Sequence, residues 1–220
     1  MNFKGKTVVI TGGTRGIGFA LTSLFEKAEA NIIVTGKKAE SNPFKDFNRI
    51  NYHQLDLESN KSIDRFIDFI NKINKIDILI NNAGINKIDY LTDISIEDWD
   101  NIHKVNLRGP FKLAKEIAKK LKIQEFGKII NIASIYGVIS KSKRAAYSST
   151  KWGLIGFTKA IALELAQYNI QVNAISPGFV DTDLTRKILG DKKIKELVST
   201  IPLKRMAKPE EVANLALFLA

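Results

Sequence analysis

Lys6-Thr7-Val8-Val9-Ile10-Thr11-Gly12-Gly13-Thr14-Arg15-Gly16-Ile17-Gly18 joins a β-branched run to a glycine-rich turn. Residues 16 to 28 then place apolar side chains at helical spacing. The stretch therefore reads as strand, turn and helix. In such a turn Gly12 allows a sharp reversal, Gly16 lets backbone approach a pyrophosphate, and Gly18 lets the helix pack on the strand. The helix start offers unpaired N–H groups and partial positive charge to phosphates. A plain strand–helix connection would look similar, so the rest of the chain decides.

The remainder alternates in the same way. Strands are expected at Ile32–Thr35, Tyr52–Leu55, Ile76–Asn81, Lys128–Ala133 and Ile170–Ile175. Helices are expected over Ser62–Ile73, over 96 to 122 with Gly109-Pro110 bending or interrupting it, over 145 to 167, and from Pro209 onward. Residues 178 to 205 read as a looser segment. The connection from Gly36 to Asn51 is too short for a full crossover helix, and Glu29-Ala30 follows the first helix where a glycine is usual. Alternating strands and helices give an α/β fold: a doubly wound, Rossmann-type parallel sheet with helices on both faces. With no repeat or linker, residues 1–220 are expected to form one domain.

Composition narrows the chemistry. The 220 residues are 45% apolar and contain no cysteine, which removes disulfides, thiolate metal sites and cysteine nucleophiles. His53 and His103 lie far apart, so no metal site is expected. No apolar run reaches the ~18 residues of a membrane span, and the start lacks the apolar core of a signal peptide. A soluble cytoplasmic protein is expected, with no membrane partner. The net charge of +11 is spread along the chain, without a long basic tract. It favours anionic ligands and does not point to nucleic acid.

Parallel strands end at one edge of the sheet, where ligands bind. At the end of the second strand, Thr35-Gly36-Lys37-Lys38 lacks the acid that would bind the ribose 2′-hydroxyl of NAD. Lys37 and Lys38, with Arg15 in the turn, would attract a 2′-phosphate, so NADP(H) is expected rather than NAD(H). Tyr147 and Lys151 stand four apart and share a helix face. A free phenol has a pKa of ~10, and an adjacent ammonium is expected to lower it towards the working pH. Such a phenol can hand a proton to a carbonyl oxygen and recover it. Ser134, just past a strand, can hold that oxygen. None of these residues is diagnostic alone; their order and co-occurrence are.

At this point the chain resembles a short-chain dehydrogenase/reductase, from about Lys4 to Ala220. Thr11 through Gly18 match the family's phosphate turn, which brings Thr14 and Ile17 with it. Asn81-Asn82-Ala83-Gly84 matches its Asn-Asn-Ala-Gly, and Asp56-Leu57 its aspartate near the adenine ring. The resemblance implies that Ser134, Tyr147 and Lys151 are catalytic, and that Lys151 also holds the nicotinamide ribose. Asn106 is implied to hold, through its backbone carbonyl, a water of the proton relay. Pro177, Gly178, Val180 and Thr182 would grip the nicotinamide. The cofactor set thus expected is Gly12, Thr14, Arg15, Gly16, Ile17, Gly18, Gly36, Lys37, Asp56, Leu57, Asn82, Ala83, Gly84, Tyr147, Lys151, Pro177, Gly178, Val180 and Thr182.

Within the family, Pro177 to Thr185 and Ile201 to Met206 look most like 3-oxoacyl-acyl-carrier-protein reductases. A ketone or carrier-linked carbonyl substrate and a homo-oligomer are implied. Sugar, polyol and other small-alcohol dehydrogenases share this wording, and a non-catalytic dinucleotide-binding protein is the reading from another class. The basic stretch Ser140-Lys141-Ser142-Lys143-Arg144 could meet an anionic substrate or simply be a solvated loop. Ala220 falls inside the last expected helix, where family members continue into a further edge strand. A sheet without that strand is expected, with lower stability than a full-length relative.

Overall fold

The structure is a computed structural model that describes residues 1–39 and 42–220. Its six strands are β1 (Thr7–Ile10), β2 (Asn31–Gly36), β3 (Ile50–Gln54), β4 (Ile78–Asn81), β5 (Gly127–Ile132) and β6 (Ile170–Ile175). All pair in parallel in the order β3-β2-β1-β4-β5-β6. The order reverses between β1 and β4, and that switch point opens a crevice at the carboxyl edge. The helices are α1 (Gly16–Lys27), α2 (Asn60–Asn71), α3 (Ile96–His103), α4 (Gly109–Gln124), α5 (Ala145–Leu165), α6 (Asp183–Thr200) and α7 (Pro209–Leu219).

Side chains alternate across a strand, so β1 feeds two cores. Val8 and Ile10 pack with Leu21 and Phe25 of α1 and with Val212, Ala213 and Ala216 of α7. Val9 points the other way, to Ile63, Phe66 and Ile70 of α2 and to Leu113, Ile117 and Leu121 of α4. The inner strands β1, β2, β4 and β5 are mostly buried on both faces, which is why they read as nearly unbroken apolar runs, while the edge strands β3 and β6 keep polar and exposed positions. Among the described residues, no helix is long and apolar enough to cross a membrane.

Three expectations change. The first concerns residues 178 to 205, where positions 183 to 200 are helical. Thr182 caps α6 by accepting from the Thr185 N–H at 3.2 Å, and Gly190 breaks its regularity with φ 71°. The second concerns the bend near Gly109-Pro110. The α-helix is interrupted directly before this pair, where Lys104–Arg108 form a π-helical turn; Pro110 sits in the first turn of α4. The third concerns the end of α1, which closes as a glycine-type cap without glycine. The Glu29 N–H donates to Glu26 O at 2.9 Å and that of Ala30 to Phe25 O at 3.0 Å, with Glu29 at φ 68°. Between β2 and β3 the described residues form turns; Glu40 and Ser41 lie outside them. Phe44 anchors this connection by stacking on Phe19, ring centroids 5.3 Å apart.

Candidate active site

The glycine turn sits at the switch point. Gly12 and Gly16 have φ of 64° and 52°, a region that side chains disfavour. Asn82 locks the turn from β4: its amide donates to Thr11 O at 2.9 Å and Gly12 O at 3.0 Å. Gly18 does not serve strand packing as expected. A Cβ there would lie 2.1 Å from Gly12 O and 2.6 Å from the Asn82 amide nitrogen, so Gly18 lets α1 press against the turn itself. The N-terminus of α1 has no side-chain cap and no acid in its first turn. By contrast Ser95 caps α3, which carries Glu97 and Asp98 there. An uncapped helix start behind a left-handed glycine turn fits phosphates.

A cleft of about 640 Å³ runs from this turn along the carboxyl edge. Every residue of the expected cofactor set lines it, and so does Ser134. Asn106 does not; it is buried behind the wall, 1% exposed. Its side chain clamps Ile85, accepting from the N–H at 2.8 Å and donating to the carbonyl at 2.9 Å, and also donates to Thr150 Oγ1 at 3.2 Å. Asn106 lies in the π-helical turn, which ties that irregularity to the loop after β4. Among the described residues no cluster of three or more potential metal ligands occurs.

Lys37 is not a bare cation. It pairs with Glu58 at 3.0 Å and Asp56 at 3.7 Å, and its pKa is raised, chiefly by the hydrogen bond to Glu58. Asp56 also accepts from the Glu58 N–H at 3.0 Å, shaping the loop after β3.

Ser134 follows β5 and begins a short 3₁₀ turn, its Oγ accepting from the Tyr136 N–H at 3.2 Å. Its hydroxyl also faces the Tyr147 phenol and hydrogen-bonds to it. Tyr147 and Lys151 lie one turn apart on α5, with Lys151 Nζ 5.6 Å from the Tyr147 ring centroid. Lys151 Nζ donates to the Ile132 carbonyl at 2.8 Å, which fixes it at the end of β5. The expected acidification of the phenol is not produced by the protein alone. Burial raises the Tyr147 pKa, while the Ser134 hydroxyl and the Arg144 guanidinium act in the opposite direction.

Lys151 is lowered by burial to about 8. A lysine depressed in the folded state destabilises it fully below pH 8, and the penalty fades as pH rises towards 10.5. Lys151→Met is therefore expected to raise stability at pH 7 by roughly 1–3 kcal/mol, after about 1 kcal/mol lost at the Ile132 carbonyl. The gain should shrink towards pH 10. Urea midpoints at both pH values check this; a midpoint lowered at pH 7 contradicts it.

Sequence reasoning missed several lining residues: Tyr136, Phe179, Asn86, Leu189 and, as a buried group, Arg144. Tyr136 stands edge-on to both Tyr147 and Phe179, centroids 6.4 and 6.1 Å away. A local signal existed for Tyr136, which lies two residues after Ser134.

The short chain dehydrogenase family model matches residues 6–193. The 3-oxoacyl-[acyl-carrier-protein] reductase FabG of Aquifex aeolicus is 39% identical, over 100% of this chain and 91% of its own. Among solved structures, ElxO with NADP bound is 30% identical with a TM-score of 0.90, over 98% of this chain and 91% of that one. A Beutenbergia cavernae structure assigned as an NAD(P)-dependent gluconate 5-dehydrogenase, with NADP at low occupancy, is 28% identical with a TM-score of 0.93. It matches 100% of this chain and 90% of its own.

Proposed function

The chain belongs to the short-chain dehydrogenase family, and we propose on that premise that it is an NADP(H)-dependent reductase of ketones, with 3-oxoacyl thioesters as substrates. The observation that carries the reading is the convergence of Ser134, Tyr147 and Lys151 in the cleft that begins at the glycine turn. The 3-oxoacyl preference is supported by the likeness to the 3-oxoacyl-[acyl-carrier-protein] reductase of Aquifex aeolicus. The NADP(H) preference is supported by the absence of acid at the end of β2, by Lys37 and Lys38 there, and by the NADP found in ElxO.

The residues suit the cofactor. The turn from Gly12 to Gly18 and the start of α1 would hold the pyrophosphate, Asp56 and Leu57 the adenine side, and Pro177, Gly178, Val180 and Thr182 the nicotinamide side. Bound NADPH supplies hydride to the carbonyl carbon. Ser134 donates a hydrogen bond to the carbonyl oxygen and holds it beside Tyr147. Tyr147 gives that oxygen its proton. Lys151, with a pKa of about 8, is close enough to neutrality to exchange a proton as the phenolate forms. Asn106 keeps the loop after β4 against this pair: Gly84 brings backbone so near that a Cβ would lie 3.4 Å from Asn106 Oδ1 and 3.7 Å from Lys151 Nζ. Through its place in the π-helical turn, Asn106 would complete the relay to solvent.

The single sheet supports residues 1–220 as one domain that binds cofactor and performs catalysis. We further infer a homo-oligomer, because Phe111, Trp152 and Leu163 leave apolar surface exposed on α4 and α5 that a second copy would cover, and a cytoplasmic location from the likeness to the FabG reductases. The test is turnover of a 3-oxobutyryl thioester with each nicotinamide. NADPH is expected to be preferred by about tenfold or more. Equal use of NADH removes the cofactor assignment. Reduction of a sugar ketone in place of the thioester moves the protein to the sugar and polyol dehydrogenases, the reading favoured by the gluconate 5-dehydrogenase likeness.

A further inference from the structure

Arg144 is 8% exposed, yet among the described residues no carboxylate lies within ion-pair distance of it. Arg186 meets Asp181 at 2.7 Å and Arg205 meets Glu211 at 2.6 Å, both at the surface; Arg108 also keeps buried guanidinium nitrogens without a partner, but it does not line the cleft. Burying a charge without a counter-charge is costly, and proteins avoid it unless a partner arrives. The contact recorded for the Arg144 guanidinium is the face of Tyr136, 5.2 Å from the ring centroid. A tyrosine face compensates only part of a guanidinium's lost hydration.

Its position says what the partner is. Arg144 immediately precedes α5, and its carbonyl accepts the Ser148 N–H at 2.7 Å, so its backbone is fixed three residues before Tyr147. It lines the cleft on the wall of Tyr136, Tyr147 and Phe179, the wall that carries the proton donor. The phosphate-binding end already has the glycine turn and the start of α1.

We propose that Arg144 is a substrate-specificity residue whose guanidinium receives a carboxylate carried close to the reacting ketone, so that short free 3-oxo acids are substrates beside the thioesters. The inference rests on the ketoreductase reading above and names a substrate class for the same site. A guanidinium presents paired N–H donors that match a carboxylate and gain less from a neutral ester.

The test compares acetoacetate with methyl acetoacetate, which keeps the carbon skeleton and removes the charge. In the unaltered protein, kcat/KM for the acid is expected to exceed that for the ester by about tenfold or more. In Arg144→Gln both fall, the acid much further, so that the acid-to-ester ratio drops by at least about tenfold. Calorimetric binding of 3-hydroxybutyrate to the NADP-loaded protein gives a readout without turnover; Kd should rise about 30-fold in the variant. A wild-type preference for the ester, an unaltered ratio in the variant, or equal 3-hydroxybutyrate affinity in both proteins overturns the proposal. Ester reduction with an unaltered ratio leaves the ketoreductase reading standing. Failure of every ketone, with 3-hydroxybutyrate still bound through Arg144, removes that reading instead.

Discussion

Tyr147→Phe is expected to lower kcat for a 3-oxoacyl thioester about 10²- to 10⁴-fold, the range of a lost general acid. Affinity for NADP should change by less than about threefold, because a single hydroxyl is removed from a wall that the dinucleotide meets along its whole length. The ring remains and keeps its edge-on contact with Tyr136, so the fold is not disturbed. Burial holds the phenol protonated in the protein, which suits a group whose first task is to donate. Steady-state rates with calorimetric NADP binding check both halves. Retained turnover would remove Tyr147 from the chemistry. Loss of both turnover and NADP binding would make it a structural residue of the cleft.

The second large effect lies at Gly18. Gly18→Ala places a methyl group 2.1 Å from Gly12 O and 2.8 Å from Gly13 Cα, both backbone atoms that cannot swing away. Either α1 retreats or the phosphate turn opens. We expect a loss of about 1–3 kcal/mol in stability. NADP affinity should fall about 100-fold, since the uncapped N–H groups of α1 would no longer face the turn as placed. Denaturant midpoints and NADP titration measure the two together. Unaltered cofactor affinity would show that the turn is not the phosphate site. Gly16→Ala acts by another route: its Cβ would meet Thr182 Cγ2 at 3.2 Å, and its φ of 52° strains any side chain placed there.

Much of this architecture is legible in the residue order. Buried parallel strands must be apolar on both faces, and runs such as Val8-Val9-Ile10 and Ile78-Leu79-Ile80 say so without ambiguity. The phosphate turn is legible because left-handed backbone and close approach both demand glycine. Tyr147 and Lys151 are legible because a helix brings residues four apart to one face.

What was not legible is tertiary. In the stretch from Ser140 to Arg144, residues 140 to 143 are exposed, as a basic loop should be, while Arg144 alone turns inward. Nothing local distinguishes it from Lys143, whose ammonium lies over Tyr90 at the surface, 4.0 Å from the ring centroid. Residues 183 to 200 hid a helix because Gly190 inside it breaks the regular backbone and its described side chains bury no apolar stripe. Glu29 hid a cap because the hydrogen bonds of the final turn of α1, and not its side chain, impose the left-handed backbone. The direction of the Tyr147 shift depends on how deeply the ring is buried, a quantity no spacing conveys.

The central claim is tested most directly by mixing the protein with NADPH and a 3-oxobutyryl thioester, following nicotinamide absorbance and analysing the product. The account predicts one alcohol formed for each NADPH consumed, with a single configuration at the new centre. No consumption of NADPH with the thioester, the free 3-oxo acid or a sugar ketone, in a protein that binds NADPH, would contradict it.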